Sequence, residues 1–290
     1  MIPSKFSYHR PKSLIQAISL LREFNDEGRI ISGGMSLVPA MKLRLVQPDH
    51  LIDIGKLKEL RYIRNKFGSI SIGSGTTYHD LIESKLINKH LPLLAEAASM
   101  VGDIQVRNKG TIGGSASHAD PAADLPAVLS ALNARFVIKG GTRTRNIGAK
   151  SFFVDAYETD LRSSEILTEI IIPIIPNYAG SAYIKFANKA SRFAIVGSAA
   201  VIKISKSHVC EFARIGITGA GPKPQRLNAA ENYLKGRPVS VSSIDTAIAK
   251  SLKDLEIISD IHGSEEYRLH LAKIISSRAC QLAIDRSLRL

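Results

Sequence analysis

The sequence predicts an α+β protein with two domains, and three observations support this prediction. A chain of 290 residues with 44% hydrophobic composition is long enough for more than one packed core. Its first half alternates short β-rich runs with helical periodicity, and its second half places three β-rich runs ahead of two or three helices. Residues 173–180 are rich in turn-forming types, so we expect one domain over residues 1–176 and another over residues 177–290.

The first domain is expected to contain two subdomains, of about residues 1–56 and 57–176. Apolar residues at helical spacing and residues that favour helix starts predict the helices. One helix is expected after the N-cap Ser13, and a second is expected over residues 78–86. Two more are expected to begin at Pro92 and at the pair Asp120-Pro121. The expected strands are residues 29–31, 50–54, 70–72, 135–139 and 165–172.

The second domain is expected to be a small three-stranded antiparallel sheet with helices. Three β-rich runs that follow one another closely predict a meander, which a glycine- and proline-rich segment at residues 219–224 ends. The expected strands are residues 183–186, 199–204 and 213–217, and the expected helices are residues 229–234, 243–252 and 265–282.

Composition argues against several classes of protein. No apolar stretch approaches the roughly 20 residues of a membrane span, and the N-terminus lacks the apolar core of a secretory signal, so we expect a cytoplasmic protein. Two cysteines, Cys210 and Cys280, are too few for a zinc site or an iron–sulfur cluster, and we expect no metal site in this chain. The net charge is +13, but Lys and Arg are spread evenly without interleaved aromatics, which argues against nucleic acid as a partner.

Two glycine-rich segments are the most informative local features. Ile31-Ser-Gly-Gly-Met-Ser-Leu37 follows a predicted strand, and Gly110-Thr-Ile-Gly-Gly-Ser115 lies in the second subdomain. Adjacent glycines with small hydroxyl residues let the backbone approach a ligand and point several N–H groups at it, which suits a pyrophosphate. Each segment taken alone is also compatible with a plain turn.

Neither segment has the Gly-x-Gly-x-x-Gly spacing of a Rossmann fold, and the chain has no phosphate-binding Gly-x4-Gly-Lys-Ser/Thr motif. An ordinary NAD-binding or ATP-hydrolysing domain is therefore not expected. A dinucleotide held between two subdomains, each contributing one glycine-rich segment, is the alternative that the pattern favours.

Each glycine-rich segment belongs to a longer motif. The first is Ser32-Gly-Gly-Met-Ser-Leu-Val-Pro-Ala-Met-Lys-Leu-Arg44. The second is Gln105-Val-Arg-Asn-Lys-Gly-Thr-Ile-Gly-Gly-Ser-Ala-Ser-His-Ala-Asp-Pro-Ala-Ala-Asp-Leu-Pro126. Both motifs resemble those of the FAD-binding subunit of molybdenum hydroxylases, the xanthine dehydrogenase and carbon monoxide dehydrogenase flavoprotein family. The resemblance spans nearly the whole chain. It implies a two-subdomain FAD-binding fold of the PCMH type, similar to vanillyl-alcohol oxidase, followed by a small flavoprotein domain.

The resemblance also implies which residues bind FAD. Residues 30–37 and 111–115 would wrap the pyrophosphate and ribityl chain, and Asp124 would hydrogen-bond a sugar hydroxyl. Lys185 would lie near the flavin ring, where a positive charge stabilises the reduced flavin. The implied cofactor-binding residues are Ile30, Ile31, Ser32, Gly33, Gly34, Met35, Ser36, Leu37, Thr111, Ile112, Gly113, Gly114, Ser115, His118, Asp124, Leu167, Lys185 and Phe193. No residue is assigned as a general base or nucleophile.

The function implied by the resemblance is electron transfer. A large partner subunit would carry the molybdopterin cofactor, and a small one would carry two [2Fe–2S] clusters that pass electrons to FAD here. The family further implies a dimer of heterotrimers. The residues alone leave two alternative functions open: a self-contained FAD-dependent oxidase, and a basic binding protein without flavin.

Three positions depart from the family pattern. Met35 replaces a common Gln or His, and Ile104 stands where proline is frequent. Arg192 occupies a position that is often Asp, and this reverses a charge near the implied flavin edge. The change at Arg192 does not disturb the two glycine-rich segments.

Overall fold

A three-stranded parallel sheet forms the N-terminal unit of the computed structural model, which describes residues 1–289. The sheet order is β1-β3-β2, and Ser13 caps the first helix by accepting a hydrogen bond from the Gln16 N–H at 3.2 Å, as predicted. The loop after β2 leaves from the carboxyl edge of the sheet. The elements are β1 (Ser7–His9), α1 (Leu14–Phe24), β2 (Gly28–Ile31), α2 (Leu37–Lys42) and β3 (His50–Asp53), with 3₁₀ turns at Asn25–Glu27 and Lys58–Leu60.

The second unit is a five-stranded antiparallel sheet whose last strand in sequence lies at its centre, in the order β4-β5-β10-β6-β7. Six helices, α3 to α8, connect β5 to β6, and all of them except α6 bury apolar side chains in the core that also contains the sheet. The elements are β4 (Ile63–Lys66), β5 (Ser69–Gly73), α3 (Tyr78–Glu83), α4 (Lys85–His90), α5 (Pro92–Met100), α6 (Ile104–Lys109), α7 (Ile112–His118), α8 (Asp124–Ala131), β6 (Arg135–Gly140), β7 (Arg143–Gly148), α9 (Ala149–Phe152), β8 (Phe153–Asp155), β9 (Glu158–Thr159) and β10 (Ile166–Pro173).

The third unit is a four-stranded antiparallel sheet, where the sequence predicted three strands. The extra strand has two residues and pairs with Gly216 and Ile217, and a strand this short has no periodicity to detect. The elements are β11 (Ala179–Ala187), β12 (Ala194–Ile204), β13 (Cys210–Thr218), β14 (Gln225–Arg226), α10 (Asn228–Leu234), α11 (Val241–Leu252) and α12 (Glu265–Leu288). Within residues 1–289, every helix is too short or too polar to cross a lipid bilayer.

The sheet of the third unit is buried on both faces, which explains the long apolar run of β12. Ala199 and Val201 belong to the core shared with the second unit, while Ala200 and Ile202 face the core formed with the C-terminal helices. The contact with α8 is so close that a Cβ on Gly216 would lie 2.4 Å from the Ala127 carbonyl oxygen. The second and third units are therefore firmly docked.

Two predicted helix boundaries were wrong. Residues 78–86 form two helices, because Ser84 is extended and caps α4 through the Ile87 N–H at 3.3 Å. The pair Asp120-Pro121 does not begin a helix, since the Asp120 carboxylate accepts the Ala122 N–H at 2.8 Å and forms a local turn instead.

A charged pair fastens the loop before β10 to β7. Arg145 donates from Nε to Glu165 Oε1 at 2.9 Å and from a terminal nitrogen to Oε2 at 2.5 Å. The Glu165 side chain is only 9% exposed. The hydrogen bonds from Arg145 lower the pKa of Glu165 below its ordinary value.

We expect Glu165→Gln to lower the free energy of unfolding by about 1.5–3 kcal/mol near pH 7, because the variant loses charge-assisted hydrogen bonds. A carboxylate with a lowered folded-state pKa stabilises the fold above its unfolded value of 4.5 and loses this contribution as the pH falls through the folded value. Urea unfolding should be measured at pH values above and below the folded-state pKa of Glu165. The difference in unfolding free energy between the variant and wild type should shrink as the pH falls. Glu158→Gln, at an exposed position without an ion pair in the described chain, is the matched control. A difference that is independent of pH would contradict the assignment.

Candidate functional site

The two glycine-rich segments lie directly against each other. A Cβ on Gly33 would be 2.0 Å from the Lys109 carbonyl oxygen and 2.7 Å from its carbon, so only glycine permits this contact. The hydroxyl oxygens of Thr111 and Ser32 are 3.5 Å apart, although the two residues are 79 positions apart in sequence. The first and second units therefore meet at these segments.

The first segment is a loop with free backbone donors. Gly34 has a φ of +75°, and the loop turns there into the first turn of α2. Within residues 1–289, the backbone N–H groups of residues 32–37 have no protein acceptor. Polar groups of this kind need an acceptor from outside the chain, and a row of N–H groups in a turn favours an anion.

The second segment is not a second loop of this kind, because it forms the start of α7. Thr111 is the N-cap, and its Oγ1 accepts the Gly114 N–H at 3.0 Å. The Ile112 and Gly113 N–H groups donate to the carbonyl oxygens of Thr76 and Ser74, at 3.0 and 2.9 Å. The expectation of a turn with several N–H groups pointing at a ligand was therefore wrong for the second segment, which is a helix terminus with its first amides already bonded.

The glycines of the second segment have different roles. A Cβ on Gly113 would lie 2.4 Å from the Ser74 Cβ, so this glycine lets α7 sit on residues 74–77. Gly114 is exposed, and a Cβ there would meet only the Thr111 hydroxyl within 4 Å. Its outer side is open, next to half-buried Ser115. The pair of segments thus has a closed side against the protein and an open side available to a ligand.

The chemistry of the donor groups fits a dinucleotide pyrophosphate. Backbone N–H groups of residues 32–37 would bind the phosphate oxygens, and the Thr111 and Ser115 hydroxyls are at hand on the facing segment. The positive end of the α7 dipole adds a favourable field. The Ser74 hydroxyl, below Gly113, is buried without a partner in residues 1–289, so this region also has a polar group that the protein itself does not satisfy.

Asp124 and Lys185 form a buried ion pair at the junction of the second and third units. Asp124 accepts hydrogen bonds from the Tyr183 hydroxyl at 2.5 Å and from Lys185 Nζ at 2.9 Å. Burial raises the pKa of Asp124, while Lys185 and Tyr183 act in the opposite direction. Each carboxylate oxygen thus accepts a hydrogen bond from protein, and the direct contact of Asp124 with a sugar hydroxyl stays a prediction.

The other three predicted residues lie in different environments. Leu167 is 4% exposed and belongs to the core of the second unit. His118 ends α7 half-buried, burial lowers its pKa, and its ring centroid is 5.1 Å from that of Tyr157. Phe193 is 45% exposed in the turn between β11 and β12. Their contact with a cofactor stays a prediction.

Sequence reasoning missed Tyr78 and Tyr183. Tyr78 is buried beside Gly110, where a Cβ would meet its ring at 2.6 Å, and burial raises the pKa of Tyr78 to about 12. The Tyr78 ring therefore lies directly against the second segment. The only sequence signal was the extra glycine-rich stretch Gly73-Ser-Gly-Thr-Thr77 immediately before it.

Two family models match consecutive parts of the chain. The model described as the FAD binding domain in molybdopterin dehydrogenase matches residues 4–175. The model described as the CO dehydrogenase flavoprotein C-terminal domain matches residues 181–283.

Similar proteins extend over the full chain. The carbon monoxide dehydrogenase medium chain of Hydrogenophaga pseudoflava is 38% identical over 99% of both chains, and the solved enzyme superposes with a TM-score of 0.96. The glyceraldehyde dehydrogenase medium chain of Sulfolobus acidocaldarius is 36% identical, covering 96% of this chain and 98% of that one. A chain of quinoline 2-oxidoreductase from Pseudomonas putida 86 has a TM-score of 0.94 at 33% identity, covering 99% of this chain and all of that one.

Proposed function

Because this chain belongs to the family of FAD-binding medium subunits of molybdenum hydroxylases, we propose that residues 32–37 cradle the pyrophosphate of its FAD. The chain is the flavoprotein component of an oxidoreductase, and its role is electron transfer. The observation that carries the proposal is the row of N–H groups in residues 32–37 that lack a protein acceptor in the described chain. Phosphate oxygens are the acceptors that such a row selects.

The facing segment is proposed to form the other wall of the site. Thr111 and Ser115 contribute hydroxyls, and the exposed face of Gly114 allows the phosphates to approach the backbone. Because Gly33 touches the Lys109 carbonyl, the two walls are held at a fixed separation before the ligand arrives. Such preorganisation raises affinity, since little ordering is left for the binding step.

FAD supplies the redox chemistry when bound, because its ring system takes up and releases electrons. The residues of this chain hold the cofactor, orient it and exclude water from it. An electron-transfer subunit needs no nucleophile or general base at the two glycine-rich segments. The ribityl and ring portions are proposed to extend toward the predicted residues His118, Leu167 and Phe193.

The relatives are subunits of multi-subunit dehydrogenases, as the names "medium chain" and "complex subunit" state. We propose that this chain likewise works with a large subunit that carries the molybdopterin cofactor and a small subunit that carries [2Fe–2S] clusters, as a dimer of heterotrimers in the cytoplasm. Two buried cysteines cannot hold an iron–sulfur cluster, so a cluster that passes electrons to FAD would have to lie on another chain.

The proposed domain boundary lies between residues 176 and 177. The two family models leave residues 176–180 unmatched, which supports the position. The side chains of Tyr183, Ala199 and Val201 nevertheless join the core of the preceding domain. We therefore propose that the third unit is a separate domain along the sequence but shares part of its hydrophobic core with the preceding domain.

We expect the refolded or purified chain to bind FAD at least about tenfold more tightly than FMN, which corresponds to roughly 1.4 kcal/mol. FMN lacks the pyrophosphate bridge, so it cannot occupy the N–H groups of residues 32–37 in the same way. Equilibrium dialysis or flavin fluorescence quenching with each flavin measures the ratio. Adenosine diphosphate should compete with FAD for the site. Equal affinities for FAD and FMN, without competition by adenosine diphosphate, would mean that residues 32–37 do not bind the pyrophosphate.

A further inference from the structure

An open cavity of about 200 Å³ lies in the third unit, between residues 211–214 of β13 and the C-terminal half of α10. A water molecule takes up about 30 Å³ in the liquid, so the cavity can hold a ligand of several non-hydrogen atoms. No residue of the two glycine-rich segments lines it. The cavity is therefore separate from the proposed FAD site.

The cavity lies at a gap in the edge of the sheet, because β14 pairs only with Gly216 and Ile217. The gap is bounded by two hydrogen bonds, from the Cys210 N–H to the Arg237 carbonyl at 2.9 Å and from the Ile215 N–H to Glu231 Oε1 at 2.8 Å. Backbone N–H groups two positions apart on a strand point to the same side. The N–H of residue 213, two positions before Ile215, therefore faces the gap.

Arg214 lines this cavity and lacks an acceptor within residues 1–289. Its guanidinium carbon Cζ lies 4.8 Å from the centroid of the Phe212 ring, and this stacking holds the planar group in place. Burial lowers the pKa of Arg214, and the nearby charge of Arg226 lowers it further. A half-buried guanidinium with five N–H donors needs acceptor oxygens, and an anion would supply them together with the missing counter-charge.

Both carboxylates at the cavity already have cations of their own. Glu231 accepts from Arg226 Nε at 2.7 Å through Oε1 and from a terminal nitrogen of Arg226 at 2.5 Å through Oε2. Glu211 pairs with Lys203, which does not line the cavity, at 3.0 Å. The protein thus places three cationic side chains at the cavity and leaves the charge of Arg214 uncompensated.

We propose that this cavity binds a compact oxyanion, a phosphate or a carboxylate group, through the guanidinium of Arg214. The Ala213 N–H and the exposed ammonium group of Lys235 are the further donors at the cavity. A planar guanidinium binds two oxygens of such a group at once, which gives a stronger contact than a single hydrogen bond. The proposal does not depend on the proposed function, because none of these residues belongs to the FAD site.

The test uses the full chain saturated with FAD, so that the added anion does not occupy residues 32–37. Inorganic phosphate and acetate are the probes, each at constant ionic strength set with sodium chloride. A ligand that binds only the folded chain raises the midpoint of thermal unfolding, so we expect a saturable rise in wild type. In Arg214→Gln the fitted affinity should be at least about tenfold weaker, because the charge-assisted contact is lost.

Lys206→Gln is the matched control, because it removes the same charge at an exposed position in the turn between β12 and β13. It should respond to the anions as wild type does. Arg214→Lys keeps the charge without the planar group, and its affinity should lie between those of wild type and Arg214→Gln. If Arg214→Gln does not fold, as judged by circular dichroism, Arg214→Lys and Lys235→Gln must still weaken binding.

A response to phosphate alone would identify a phosphate site, and a response that includes acetate would identify a carboxylate site. An equal response in wild type and in the Arg214 variants, or none beyond that of sodium chloride, would overturn the proposal. If the chain takes up no FAD, the proposed function fails, while the same comparison of variants without FAD still decides whether Arg214 binds an anion.

Discussion

Gly33→Ala is expected to abolish most FAD binding while leaving the chain folded. The new methyl group would lie 2.0 Å from the Lys109 carbonyl oxygen, and both partners are backbone atoms that no rotamer change can move. The two glycine-rich segments must separate, and overpacking of this kind typically costs about 1–3 kcal/mol. If the separation opens the cradle, that cost corresponds to about 5- to 150-fold in affinity.

The measurement is the ratio of flavin to protein after purification, followed by a titration with FAD. Gly148→Ala is the matched control, because a Cβ there meets nothing within 4 Å and the backbone has an ordinary conformation. The control should keep full flavin content. Wild-type affinity in Gly33→Ala would mean that the contact between the two segments is not required for the cofactor, and the proposed site would lose its geometric basis.

Much of the first glycine-rich segment could be predicted from sequence because its features are local. A β-rich run, then Ser32-Gly-Gly34, is enough to place a loop at the end of a strand. The identity of the atom that Gly33 touches could not be predicted, since the Lys109 carbonyl belongs to another subdomain. A Gly-Gly pair indicates that the backbone either approaches other atoms closely or adopts a positive φ. Only the folded structure shows which of the two applies to each glycine.

The second segment shows how tertiary contacts override local preference. Two adjacent glycines weaken a helix, so a turn was the natural expectation for residues 110–115. The structure instead forms α7, because Thr111 caps it and the Thr76 and Ser74 carbonyls accept the first N–H groups. Thr76 and Ser74 precede this segment by more than thirty positions, and no local sequence pattern indicates a contact over that distance.

The junction between the second and third units was the least predictable part. Asp124 and Lys185 each have an ordinary local explanation, as an acidic residue in the first turn of a helix and as a charged residue on a strand. Their pairing depends on α5, α8 and β11 meeting at one point. A sequence pattern indicates which residues are buried along one element, but it does not indicate which polar groups from different elements share a site.

Asp124→Ala is expected to lower the free energy of unfolding by about 3–5 kcal/mol, because it leaves the buried ammonium group of Lys185 without its counter-charge. The Tyr183 hydroxyl loses its acceptor in the same step. Removing both charges in Asp124→Ala/Lys185→Met should restore a large part of this loss, since an apolar replacement leaves no unpaired charge.

Urea unfolding of the two single variants, the double variant and wild type gives the coupling energy. Asp254→Ala, at an exposed position outside any ion pair in the described chain, should change stability little. A double variant that is as unstable as the sum of the single variants would show that the two charges do not stabilise each other. The docking of the third unit would then depend on the close backbone contact between β13 and α8, where Gly216 meets Ala127, and not on the ion pair.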